Sequence, residues 1–405
     1  MAYDFETAHR RFSSSLGGGI GSTKWDNVEK FGFGSDPDVI PFSVADMEFP
    51  IAPEVKKALI EQMEHDTLGY CHATPEYRAS ICRWMKERRH WDAKPEWMVF
   101  THGCVDAFFA AVKAFTNPGD GVMLITPVYY PMYKAINRNG RVLVECPLVR
   151  DEEHLTYNID WDDFEKKAKD ANTKLLILCS PHNPVSRVWS REELEKVDRI
   201  CRENDVFVVS DEIHHDLIMP GHEHVVFASL SEEAAKNCMV LTAPSKTFNL
   251  AGLETSNIFV PDAKRRKSFV NEIETGCSYA RCSCLGFVAC KTAYDQCGAW
   301  LDECINVIDT NRKVITEFFA KEFPQIKVYD LQATYLLWMD WRGLGIDYKE
   351  LERINQYEAG LVFDEGYVFG PAGEGFERWD LAVPTKYVEK ALERMKKAYA
   401  PYLNK

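Results

Sequence analysis

Long apolar runs are missing from this sequence. No stretch approaches the ~20 consecutive apolar residues that cross a bilayer, and the amino-terminal MAYDFETAHRRF has no apolar core of the signal-peptide kind. The expectation is a soluble, cytoplasmic protein without a membrane partner. Positive charge is also short: 62 acidic residues face 48 Lys and Arg, a formal net charge of -14. Neutralising a phosphate backbone needs a basic face, so nucleic acid is not an expected partner. The local run KRRK (264–267) reads as one solvated helix face. Paired C-x-x-C knuckles, internal repeats and low-complexity segments are lacking too. The thirteen cysteines therefore read as reduced thiols. Cys277/Cys284 and Cys290/Cys297/Cys304 recur every seven residues, the spacing of one helix face, which favours small core residues over a metal cluster.

What is present is an ordinary globular composition, 46% hydrophobic and 27% charged, on a chain of 405 residues, longer than one typical domain. Five short runs are almost continuously apolar: GVMLITP (121–127), KLLILCSP (174–181), VFVVSDE (206–212), CMVLTAPSK (238–246) and SNIFVP (256–261). Strands buried on both faces look like this, so they suggest a mostly parallel sheet. Between them lie amphipathic segments such as VDAFFAAVKAF (105–115) and SREELEKVDRICREND (190–205), the second opening on Ser190 as N-cap with acidic residues in its first turn. The alternation predicts an α/β fold with helices on both faces of a mixed, mostly parallel sheet. After residue 285 long helical patterns give way to an antiparallel-looking stretch, ATYLLWMDW (333–341). This gives a large domain over 46–285 and a smaller α+β domain over 286–405, to which segment 1–45 contributes. SSSLGGGIGS (13–22) reads as a loop.

In a doubly wound sheet, ligands collect outside the carboxyl ends of the strands. Asn183, Asp211 and Lys246 each fall at such an end. A lysine there can form a Schiff base with an aldehyde, and pyridoxal 5'-phosphate is the aldehyde cofactor whose ring nitrogen calls for an acidic partner. Asp211 suits that role because a carboxylate favours the protonated ring. Asn183 suits donation to the ring oxygen. The turn Gly103-Cys104-Val105 opens a helix whose free amides face an anion, and Tyr129, at another strand end, is placed to cover one face of the ring. His214 and His215 are adjacent, so they cannot share a face as a metal or acid-base pair.

STKWD, SVADMEFP, PHNPVSRVWSREEL, SDEIHHDL and APSKTFNLAGL, in this order from about residue 22, resemble the fold-type I pyridoxal-phosphate enzymes. Within them they resemble the cystathionine β-lyase-like branch of MalY/PatB-type carbon-sulfur lyases, in the class I/II aminotransferase superfamily. The resemblance implies that Lys246 carries the cofactor, Asp211 pairs with its ring nitrogen, Asn183 bonds its ring oxygen and Tyr129 stacks on it. It implies that Ser245 and the Gly103-Cys104-Val105 turn hold the phosphate, and that Tyr70 reaches the phosphate of a neighbouring subunit in a homodimer with shared active sites. Arg378, in ERWDLAVP, matches the arginine that grips the substrate α-carboxylate. His214 stands where aminotransferases often carry a tyrosine near the ring oxygen.

The chain departs from that pattern at Ser43 (usually Trp), Ser186 (usually Gly) and Asp380 (usually Asn). Glu254 stands eight residues past the lysine, where aspartate aminotransferases carry a phosphate-binding arginine. The expected activity is β-elimination on a cysteine-derived L-amino acid such as cystathionine, giving a thiol, pyruvate and ammonia. An aminotransferase uses the same lysine, aspartate and arginine, and a regulatory protein that retains the cofactor is the third reading.

Overall fold

The structure is a computed structural model, described for residues 2–7, 21–30, 41–65, 67–277 and 282–402. Residues 13–20 of the segment read as a loop, and much of segment 1–45, lie outside the described residues. Eight strands form the large sheet: β1 (Met98–Thr101), β2 (Gly121–Thr126), β3 (Val142–Asp151), β4 (Thr156–Ile159), β5 (Thr173–Cys179), β6 (Phe207–Asp211), β7 (Cys238–Thr242) and β8 (Ser256–Phe259). Their spatial order is β1-β8-β7-β6-β5-β2-β3-β4. The apolar runs near 121, 174, 206 and 238 become β2, β5, β6 and β7, which are mutually parallel neighbours.

The fifth run, SNIFVP, becomes β8, which is antiparallel to both β7 and β1. Two successive reversals return β1 to the direction of β7, so the carboxyl ends of β1, β7, β6, β5 and β2 all reach the same edge. Apolar continuity along these strands has a direct cause. On β5, Leu176 and Leu178 pack into one core cluster while Leu175, Ile177 and Cys179 pack into another on the opposite face. A strand covered on both faces has no place for alternation.

The helix read from 190–205 runs from Arg191 to Glu203, and Ser190 and Glu193 close a full capping box at its start. Cys290, Cys297 and Cys304 are buried in the core. A second, four-stranded antiparallel sheet holds β9 (Lys327–Val328), β10 (Leu336–Asp340), β11 (Asp364–Glu365) and β12 (Phe376–Asp380), in the order β11-β12-β10-β9.

The segment from Phe42 to Phe49 stitches the two sheets together. On one side Phe42 N–H donates to Val362 O at 2.8 Å, and Asp380 N–H donates to Phe42 O at 2.8 Å. On the other, Asn249 Nδ2 donates to Met47 O (3.0 Å) and Phe49 O (2.8 Å). Among the described residues no helix is long and apolar enough to cross a membrane.

Candidate active site

The sequence-predicted residues converge along this edge. Register puts Cys179 of β5 beside Asp211 of β6, and Asp211 beside Leu241 of β7. Asp211 is therefore the last residue of a central strand, and Lys246 sits one short turn beyond its neighbour, in Pro244–Thr247. Ser245 is buried in that same turn. Burial lifts the Asp211 carboxyl to about 7, the nearby Lys246 pulling the other way. Burial also lowers the Lys246 amine, with Arg378 reinforcing and Asp46 and Asp380 opposing. Its Nζ donates to Ala45 O at 2.6 Å.

Asn183 is reached through a bend after β5 that His182 braces: the imidazole is buried and its Nε2 lies 2.9 Å from Pro127 O. Burial takes His182 down to about 4, so it is a neutral structural link between two strand ends. Arg378 of β12 donates from Nη1 to Asn183 Oδ1 at 2.9 Å. A guanidinium can only donate, so the carboxamide oxygen must face it and the Asn183 amide N–H pair must face away. The arginine thus orients a donor toward the strand-end edge. Arg378 also pairs through Nη2 with Asp364 and lies 4.6 Å from the centre of the Phe369 ring, while its buried Nε has no partner among the described residues.

Gly103 precedes the helix Cys104–Phe115 with φ 130°, and a Cβ there would project into open space. That conformation favours glycine, and the helix start leaves the amides of Cys104 and Val105 without intrahelical acceptors. Cys104 is buried close enough to Asp211 and Lys246 to feel both charges; burial and then Asp211 raise its thiol, and Lys246 opposes them. Tyr129 is half-buried just beyond β2, its hydroxyl raised by burial within the fields of Arg378 and Asp211.

The two histidines part. His215 turns to Glu212 O (2.7 Å) and Asp216 (3.2 Å). His214 faces the site: burial, then the charges of Lys246 and Arg378, hold it well below the ordinary histidine range. Its buried Nδ1 has no partner among the described residues. Tyr70 is not brought to the site of its own chain; it is 95% exposed.

The departures acquire local reasons. Ser186 has φ 59°, the left-handed region that favours glycine. Its strain is offset by its carbonyl accepting from Gln332 and Ala333 N–H, both at 3.2 Å, and by its hydroxyl donating to Leu336 O. Glu254, with φ 46°, is exposed and closes the turn Ala251–Leu253, so its carboxylate does not enter the site. Ser43 is buried with no partner for its Oγ among the described residues. Three groups were not singled out as site residues from the sequence. Tyr335 donates to Ala45 O at 3.0 Å and its ring lies 6.1 Å from that of His214. Asp364 and Lys24 complete the surroundings. Lys24 lies in the STKWD motif and Tyr335 in the run ATYLLWMDW, whereas Asp364 carries no local signal.

The family model described as aminotransferase class I and II matches residues 37–395. Cystathionine beta-lyase PatB of Bacillus subtilis (strain 168) is 38% identical over 94% of this chain and 97% of its own. The structure of cystalysin from Treponema denticola, which contains a pyridoxal 5'-phosphate cofactor, superposes with a TM-score of 0.94 at 44% identity, covering 99% of this chain and 100% of that one. The pyridoxal-phosphate-bound C-S lyase from Staphylococcus hominis superposes with a TM-score of 0.87 at 30% identity, covering 98% of each chain. With the match running through both sheets and every strand-end residue of the site, the chain belongs to the class I and II aminotransferase family.

Proposed function

We propose that the protein is a pyridoxal 5'-phosphate-dependent carbon-sulfur β-lyase, converting cystathionine or another cysteine-type L-amino acid to a thiol, pyruvate and ammonia. The observation that carries the reading is the Arg378–Asn183 bond at 2.9 Å. It joins a carboxylate-binding group to an oriented amide donor at the edge where Lys246 and Asp211 meet.

The donor set fits the cofactor. Lys246 is a half-buried amine with a lowered pKa, suited to condense with an aldehyde. Asp211 would hold the proton on a ring nitrogen, Asn183 would donate to the ring oxygen, and Tyr129 would lie against the ring. The amides of Cys104 and Val105, with Ser245, would receive the phosphate at a glycine-opened helix start. His214 supplies a neutral imidazole nitrogen that needs a partner. When bound, the cofactor supplies an electron sink that labilises bonds at the substrate α-carbon.

The chain's own part follows from its geometry. Arg378 clamps the substrate α-carboxylate and so selects which α-carbon bond faces the lysine. Lys246, relieved of part of its proton affinity by burial, takes the α-proton, and Ala45 O stands ready to accept a hydrogen bond from the resulting ammonium. Reaction class rests on the carbon-sulfur lyases among the relatives. Incubating the protein with cystathionine and no keto acid should yield one pyruvate and one ammonia per thiol. Pyruvate that appears only with an added keto acid, its amino group transferred to that acid, would make the protein an aminotransferase instead.

The enzyme is further proposed to be a cytoplasmic homodimer. Tyr70 is exposed, on a stretch that also exposes Ile60, Met63 and Leu68, an arrangement suited to reaching a partner's phosphate site. The described cysteines are carried as free thiols, which suits a reducing compartment. Mixing Tyr70→Phe with Lys246→Ala chains should restore activity in hybrid dimers, because one of the two shared sites is then intact. Hybrids that form yet stay inactive would return Tyr70 to its own subunit.

A further inference from the structure

Outside the lysine, aspartate and arginine already described, the molecule buries one more charged cluster beside the site. Lys24, on the helix Thr23–Lys30, is 1% exposed. Its Nζ lies 3.1 Å from Asp380 Oδ2 and 3.3 Å from Glu48 Oε1, and it donates to Asp46 O at 2.7 Å. Burial lowers its pKa, but Asp380, Glu48 and Asp46 together hold it above the ordinary lysine value. Burying an ion pair brings little net stability over packed apolar groups, so its position calls for another reason.

That reason lies in the turn it grips. Val44 has φ 58°, an outlier for a β-branched residue, and such strain persists only where the surroundings impose it. Two carboxylates from neighbouring strands of the small sheet impose it here. Val44 N–H donates to Asp364 Oδ2 at 2.9 Å, and Asp46 N–H donates to Asp380 Oδ2 at 3.4 Å. Asp380 itself is anchored by Ala382 N–H, at 2.9 Å to its Oδ1. The residue between the two clamped amides is Ala45. Its carbonyl receives Lys246 Nζ at 2.6 Å and Tyr335 OH at 3.0 Å.

We propose that Lys24 is a positioning residue for Lys246: its ammonium, held between Asp380 and Glu48, fixes the Val44–Asp46 turn so that the Ala45 carbonyl holds the lysine amine in register with the site. The chain of contacts is short, from Lys24 Nζ to Asp46 O, back through the Asp46 backbone to Ala45 O, and on to Lys246 Nζ. The inference rests on Lys246 being the catalytic lysine of the proposed lyase. Lys24 touches no reacting atom, so its loss acts on the placement of Lys246 and not on substrate capture by Arg378.

The test compares Lys24→Met with the double variant Lys24→Met/Asp380→Asn in the cofactor-loaded, full-length protein. Lys24→Met should lower kcat for pyruvate formation about 10²-fold, the cost of a displacement of about 1 Å at a catalytic group, with KM nearly unchanged. It should also melt earlier, since Asp380 and Glu48 are left buried without their cation. The double variant removes one of the two stranded charges, Glu48 keeping the other, and should regain part of the lost melting temperature. Its kcat should stay low, and the induced circular dichroism of the cofactor's visible band, per bound cofactor, should remain reduced, because Asp46 O still lacks its donor. If Lys24→Met does not accumulate, the double variant carries the test alone. A double variant with wild-type kcat and wild-type dichroism would overturn the proposal and leave Lys24 a stabilising ion only. A wild-type protein that forms no pyruvate from cystathionine, or whose borohydride-fixed cofactor maps away from Lys246, would instead refute the lyase reading on which the inference stands.

Discussion

Lys246→Ala is expected to abolish pyruvate formation from cystathionine, by about 10⁴-fold or more, while leaving a folded protein. The size follows from removing two functions at once. A positioned general base is worth about 10²–10⁴-fold, and the same amine is the group that would hold the cofactor covalently. The structure argues that folding survives the change. Burial already disfavours the Lys246 ammonium, and its hydrogen bond runs to one carbonyl, Ala45 O, which Tyr335 OH also satisfies. Initial rates in a coupled pyruvate assay, set beside a thermal melt of the variant, separate the two effects. Borohydride should bleach the visible band of the wild-type protein and leave the modification on Lys246 in a peptide map. A variant retaining a tenth of the wild-type rate, or a modification found on another lysine, would remove Lys246 from the site.

Asp211→Asn should lower kcat about 10³-fold, roughly 4 kcal/mol of transition-state stabilisation, with cofactor still bound. Its carboxylate is the charge that favours a protonated ring nitrogen, and an amide of the same shape cannot replace that charge. The same residue predicts a pH signature. Burial raises the Asp211 carboxyl from an ordinary 3.8 to about 7. A carboxyl whose folded pKa lies above its unfolded one binds its proton more tightly when folded. The cofactor-free chain therefore keeps this contribution below about pH 4 and loses it as pH rises through about 7.

A cationic ring nitrogen beside Asp211 would reverse that penalty. The gain in melting temperature on adding cofactor should grow from pH 4 to pH 7 in the wild type and stay flatter in Asp211→Asn. Asp380, lifted by burial to about 6, contributes the same trend to both proteins, so the difference between them isolates Asp211. Equal rates, or identical pH profiles of the cofactor-induced gain, would exclude the proposed partner for the ring.

The sequence by itself determined the features that depend on neighbours along the chain. Unbroken apolar runs announced strands covered on both faces, and the core clusters on either side of β5 are that covering. Ser190 and the acidic residues after it announced the start of a helix because an N-cap depends only on near neighbours, and the structure completes it as a capping box with Glu193. Asp211 and Lys246 were legible because each ends an apolar run, and ligands gather at strand ends. Strand direction was not legible: nothing within SNIFVP distinguishes a parallel from an antiparallel neighbour, and β8 runs antiparallel.

The tertiary structure alone decided which distant polar groups meet. Asn183 offers its amide rather than its oxygen to the site because Arg378, from the other sheet, can only donate. Tyr335, Asp364 and Lys24 enter because a short segment, 42–49, lies between the two sheets and collects their hydrogen bonds. Asp380, a bare departure from a family pattern in the sequence, becomes the partner of Lys24. Local propensity acts over a few residues, whereas a buried charge or donor is satisfied only by whatever group the closed fold brings within about 3 Å, and sequence separation carries no record of that distance.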